Sequence, residues 1–158
     1  MKKFLLLLPF VALMMGCQSN ETSGECPVLT VEGGQITGQK IDYTLNGTTT
    51  TYYAYKGIPY AAAPIGDLRW KEPRPVVAWE GVRTCDKFGH PGYQAVHYPS
   101  GYTTEWGYGD EAPYSEDCLY LNVFTKAAGQ TDKKLPVALW IHGGGYREGW
   151  GTEPELDG

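Results

Sequence analysis

His142-Gly143-Gly144-Gly145-Tyr146 follows directly on an apolar run, Leu135 to His142 (LPVALWIH). Glycines without a Cβ let the backbone turn abruptly and bring amide N–H groups within reach of a ligand oxygen. Acyl transfer through a tetrahedral intermediate needs preorganised donors of this kind, and removing one costs about 10² to 10³ in rate. A buried strand running into HGGG has the order of an oxyanion-binding loop. A plain glycine-rich turn or a phosphate cradle are the competing readings of the same residues.

The rest of an acyl-transfer machine is a nucleophile, a base within hydrogen-bond reach of it, and an acid that orients the base. The four serines, Ser19, Ser23, Ser100 and Ser115, include none in a G-x-S-x-G elbow. Of the three histidines, His142 is expected to hold its own loop by a hydrogen bond. Gly33 to Lys40 (GGQITGQK) has the look of a phosphate loop, but its lysine comes one position late and Ile41 stands where magnesium needs a hydroxyl. It reads as a hairpin. Neither H-E-x-x-H nor paired C-x-x-C occurs, which leaves a zinc site without support, and no cofactor is implied.

The elements that must carry these residues follow from local patterning. Val28 to Val31 and Gln35 to Ile41 read as short strands broken at Gly33-Gly34, and Asn46-Gly47 is a two-residue hairpin turn. Thr49 to Tyr55 (TTTYYAY), rich in β-branched and aromatic residues, is the returning strand of an antiparallel sheet. Pro59, Pro64, Pro73 and Pro75 forbid a long helix between Gly57 and Pro75 and predict an extended run. Residues 89 to 114, rich in Gly, Pro and Tyr, predict a long functional loop. Leu119 to Thr125 (LYLNVFT) and Leu135 to His142 are strand-like, the second apolar enough for a central strand buried on both faces. If nothing covers that run, it becomes an exposed, aggregation-prone edge.

At 158 residues, 42% hydrophobic and 13% aromatic, the chain has material for one ordinary core. Its net charge is -5, and the 13 Lys and Arg residues are scattered, so no nucleic-acid partner is expected. Lys2 and Lys3 followed by apolar Phe4 to Met15 form a signal peptide over residues 1–16, too short to span a bilayer. Met14-Met15-Gly16-Cys17 resembles a bacterial lipobox, with Cys17 as the diacylated residue and residues 17–26 as a polar tether. The expected location is the bacterial cell envelope as a lipoprotein of the outer membrane or periplasm, or outside the cell if Cys17 is not lipidated. Export means an oxidising compartment, and an odd set of Cys26, Cys85 and Cys118 leaves at least one thiol without a partner in the chain.

Four further stretches carry a resemblance. Lys56 to Ala61 (KGIPYA) with Pro64 to Trp70 (PIGDLRW), Trp79 to Arg83 (WEGVR), and Glu116 to Phe124 (EDCLYLNVF) precede HGGG in the chain. In identity, order and spacing they resemble the type-B carboxylesterases, which are cholinesterase-like α/β-hydrolases; the departure from the signature comes only just after it, at Lys126. The resemblance covers residues 27–158 and implies an α/β fold class, here the N-terminal part of an α/β-hydrolase: a small antiparallel sheet, a long aromatic loop and the first central strands. It implies hydrolysis of a small-molecule carboxylic ester through a serine acyl-enzyme.

Residue by residue, the resemblance makes the amides of Gly144 and Gly145 the oxyanion donors and pairs Arg69 with Glu116 in a structural role. It sets Trp106 and Tyr146 near the substrate. The triad is expected downstream of HGGG, making His90, His97 and His142 poor candidates for the base and the chain alone inactive. The family closes its aromatic loop with a disulfide that ends at the position of Cys118. Its usual partner aligns near Gly92, whereas this chain offers Cys85, and a Cys85–Cys118 bridge stands as an open alternative. Non-catalytic cholinesterase-like binding or adhesion proteins and a truncated surface lipoprotein are the rival functions.

Overall fold

The computed structural model describes residues 25–94 and 113–151. The signal peptide, Cys17, most of the tether, Trp106 and most of the aromatic loop lie outside these residues. Among the described residues, six strands form two three-stranded sheets. The first orders β1 (Leu29–Val31), β2 (Gly34–Thr37) and β5 (Val82–Thr84), with β1 antiparallel and β5 parallel to β2. The second orders β3 (Gln39–Leu45), β4 (Thr48–Pro59) and β6 (Tyr120–Thr125), all antiparallel.

The β3–β4 hairpin forms where the sequence places it. Asn46 and Gly47 both have positive φ, 50° and 78°, the geometry of a type I′ turn, whose twist matches that of the flanking strands. Leu45 then faces Thr48, and the register runs unbroken to Gln39 opposite Ala54. Two expectations differ in detail. Gln35 to Ile41 is not one strand but two, divided at Gly38, where the Ala54 carbonyl oxygen occupies the space of a side chain. The first sheet is also mixed rather than purely antiparallel, because β5 adds to it in parallel.

The core lies between the sheets. Ile36 of β2, Tyr55 and Ile58 of β4, Cys85 just past β5 and Ala128 past β6 form one buried cluster. Tyr55 is fully buried, and its hydroxyl donates to the Pro27 carbonyl at 2.8 Å, so the ring is removed from water without stranding a polar group. Such a side chain contributes about 1.5–3 kcal/mol by burial. The backbone continues the join: Cys85 N–H donates to Thr37 O at 2.7 Å, and Lys56 N–H to Cys85 O at 2.8 Å.

Trp79 explains part of the WEGVR stretch. Its ring lies against the Gly33-Gly34 turn, its indole N–H donates to Gln35 O at 2.8 Å, and Arg83 sits 5.5 Å over the ring. Beyond β4 to Pro75 the chain forms no long helix: it takes a 3-10 turn over Gly66–Leu68, turns again at Trp70 (φ 58°) and doubles back so that Ala62 N–H donates to Arg74 O at 3.0 Å.

Leu135 to Ile141 departs from expectation. It forms no strand, and Val137, Leu139, Trp140 and Ile141 are 70–92% exposed. A strand is a paired object, and no described segment donates to or accepts from this backbone, so apolar patterning alone leaves it extended and open. No helix among the described residues is long and apolar enough to cross a membrane.

Candidate functional site

The apolar run ends in a tight turn built on HGGGY. Gly144 O accepts from Arg147 N–H at 3.1 Å and Glu148 N–H at 3.3 Å. Gly144 has φ +113°, and a Cβ there would lie 1.8 Å from Glu148 O. Gly145 has open space but φ +63°, and Tyr146 follows at φ 60°. Two successive left-handed residues fold the loop back, a conformation costly for ordinary side chains. Tyr146 is fully exposed. Among the described residues, the amide N–H groups of Gly144 and Gly145 have no acceptor.

His142 Nδ1 donates to the Gly143 carbonyl at 2.7 Å, which is the loop-holding role read from the sequence and fixes the proton on Nδ1. His90 Nδ1 likewise donates to Pro113 O at 2.8 Å, joining the two described ends of the aromatic loop.

Behind the turn lies Gly149, so close that a Cβ on it would meet His142 Nδ1 at 2.6 Å and Gly143 O at 2.7 Å. Two carboxamides hold this strip. Gln94 Oε1 accepts from Gly149 N–H at 2.7 Å, while its Nε2 donates to Gly149 O at 3.4 Å and Gly92 O at 3.2 Å. Asn122 of β6 accepts from Gly57 N–H at 2.9 Å, at the bulge of β4, and donates to Gly151 O at 3.3 Å. Asn122 falls within the EDCLYLNVF stretch and Gln94 in no quoted motif, but sequence reading gave neither a role; only the fold brings them to residues 149–151. Tyr114 stands between Tyr93 and Trp150 at ring distances of 6.4 and 6.5 Å, packing the loop ends onto the same strip.

Arg69 and Glu116 form a two-contact ion pair, Nε to Oε1 at 2.5 Å and Nη2 to Oε2 at 2.6 Å. The pair is partly exposed, so water screens it, and it ties the proline-rich run to the signature stretch more than it stabilises. Both lie apart from the glycine turn in sequence, and no described contact joins them to it.

The Cys85–Cys118 bridge is not formed: Cys26, Cys85 and Cys118 are free thiols. Cys85 is committed to the core, 1% exposed, with its backbone pinned between Thr37 and Lys56. Cys118 instead faces Gly92, whose hypothetical Cβ lies 3.3 Å from its sulfur. Burial pushes the Cys118 thiol up, and Asp117 and Glu116 beside it push it further. Burial likewise raises Cys85. Neither is poised as a thiolate nucleophile. No group of three or more His, Cys, Asp or Glu among the described residues is placed to hold a metal ion.

The whole arrangement, from the first strand through the glycine turn, falls inside a match to the model of the carboxylesterase family over residues 25–158. The chain belongs to the carboxylesterase family. It is 39% identical over 131 residues to the para-nitrobenzyl esterase of Bacillus subtilis, covering 83% of this chain and 24% of the relative. With the phenmedipham hydrolase of Pseudarthrobacter oxydans the identity is 42% over 102 residues, 65% of this chain and 20% of the relative. The mouse cholinesterase is 32% identical over 157 residues, 98% of this chain and 24% of the relative. The chain thus spans about a quarter of the length of the curated relatives it matches. The family is one of ester hydrolases with the α/β-hydrolase fold, and the strand-rich architecture here corresponds to its N-terminal part.

Proposed function

We propose that this carboxylesterase chain supplies the oxyanion loop of an exported serine esterase, with Gly144 and Gly145 donating to the tetrahedral oxyanion. The observation that carries the reading is the turn itself: the two glycines whose amides have no acceptor among the described residues are held at positive φ. Donors fixed in advance stabilise charge that develops only in the transition state. The para-nitrobenzyl esterase and cholinesterase relatives favour a carboxylic ester as substrate. None of the chain's serines occupies an elbow, so the nucleophile, acid and base belong to another part of the complete polypeptide.

The test compares residues 25–158 with the complete polypeptide on a short-chain nitrophenyl ester. The complete polypeptide is expected to hydrolyse it and to be labelled by an organophosphonate on a serine other than Ser19, Ser23, Ser100 or Ser115. Residues 25–158 alone are expected to match a heat-treated control. Turnover by those residues alone, or none by the complete polypeptide, sinks the proposal.

A further inference from the structure

We propose that Gln94 and Asn122 are positioning residues for the oxyanion turn, acting through the Gly149–Gly151 strip on which the glycine loop is folded. The inference rests on the esterase reading and extends it to two side chains outside the loop. Gln94 meets both backbone groups of one residue, with Oε1 on Gly149 N–H and Nε2 on Gly149 O, as a neighbouring strand would. Gly149 in turn sits against His142 and the Gly143 carbonyl, leaving no room for a side chain. The Gly143 carbonyl shares its peptide plane with the Gly144 amide, and Gly144 itself lies against the Glu148 carbonyl, which shares a plane with the Gly149 N–H that Gln94 holds, so a shift of Gly149 moves the Gly144 donor.

The two carboxamides bind the strip to different supports. Gln94 connects it, through Gly92 O, to the segment facing Cys118. Asn122 connects it to the β4 bulge at Gly57, and so to the strand that also carries Tyr55 and Ile58 of the core. The oxyanion turn itself is exposed and is in none of the described strands, and these bonds, with the Trp150–Tyr114 contact, are among its links to the rest of the fold. Misplacing a catalytic group by about 1 Å costs on the order of 10²-fold. Losing one clamp is therefore expected to act on the transition state rather than on substrate binding.

The experiment uses the complete polypeptide with Gln94→Ala, Gln94→Glu and Asn122→Asp. Gln94→Ala is expected to lower kcat by about 10- to 10²-fold with KM within about 2-fold of wild type. Gln94→Glu keeps the acceptor for Gly149 N–H but sets a carboxylate against two carbonyls. Its kcat relative to wild type should rise as pH falls from about 8 to about 5 and the carboxyl regains a proton to donate. Asn122→Asp keeps the Gly57 bond and loses the Gly151 bond, so it should lower kcat without a change in thermal midpoint. Hydrogen exchange should speed at the Gly149 amide in Gln94→Ala while the β4 amides keep wild-type rates.

Unchanged kcat, a KM that rises with the fall in kcat, or unchanged Gly149 exchange overturns the proposal; so does faster exchange throughout β4, which marks a merely structural role. A wild type without ester turnover refutes the esterase reading instead. In that event the exchange contrast alone decides the clamp, lost Gly149 protection upholding it and retained protection overturning it.

Discussion

Gly92 and Cys118 show how far a single atom decides chemistry. A Cβ on Gly92 would lie 3.9 Å from the Cβ of Cys118, inside the range of about 3.5–4.5 Å that a disulfide requires. The family's usual bridge therefore has its site intact here, lacking only one cysteine, while Cys85 is held in the core by packing and backbone bonds. Gly92→Cys is expected to oxidise with Cys118, leaving one free thiol fewer than the wild type by titration under denaturing conditions. Closing this loop should raise stability by about 3 kcal/mol, read as a shift in urea midpoint that reductant abolishes. A full complement of thiols after air oxidation counts against the placement of residues 92 and 118. The same facing explains why sequence reasoning left the bridge open, since spacing along a chain does not report which Cβ atoms meet.

Among the elements, the two apolar runs near the end of the described chain diverge in outcome. Tyr120–Thr125 becomes β6 because β4 offers it an antiparallel ladder, and Asn122 fixes it at the bulge. Leu135 to Ile141 has the stronger apolar pattern and stays unpaired, since hydrophobicity selects what is buried only where a partner surface exists. An open run with Val137 92% and Leu139 83% exposed is a template for intermolecular pairing. Residues 25–158 on their own should self-associate as concentration rises, measured by light scattering. Val137→Lys with Leu139→Lys should suppress that association while leaving the urea midpoint of the sheet core within about 0.5 kcal/mol, as for a surface change. Undiminished scattering in the double variant places the association surface elsewhere.

Among the described residues, two small sheets sharing one buried cluster are the support, and the glycine turn is tied to them by side-chain amides. Where the protein works is a proposal that rests on its first residues. The lipobox-like Gly16-Cys17 leads to the proposal that Cys17 carries the lipid that anchors the tether to a membrane. Cys17→Ala is then expected to move the complete polypeptide from the membrane fraction to the soluble fraction, and to abolish labelling by a fatty-acid probe. Labelling that persists in the variant rules out Cys17 as the anchor point.

Much of this was legible in the residues alone, where the signal is local or carried by motifs. The Asn46-Gly47 turn follows from φ preferences of two residues, and membership of the carboxylesterase family from stretches whose types and order survive without coordinates. Even the His142 contact to its own loop is short-range enough to be inferred. What the tertiary structure decided depends on residues far apart in the chain. It split Gln35 to Ile41 between two sheets, added β5 in parallel, kept Cys85 from Cys118, and brought Gln94 and Asn122 to Gly149 and Gly151, behind the glycine turn, from 55 and 29 residues away. Hydrogen-bond partners and facing Cβ atoms are set by how segments dock, and docking is a sum over the whole packed chain that no single stretch encodes.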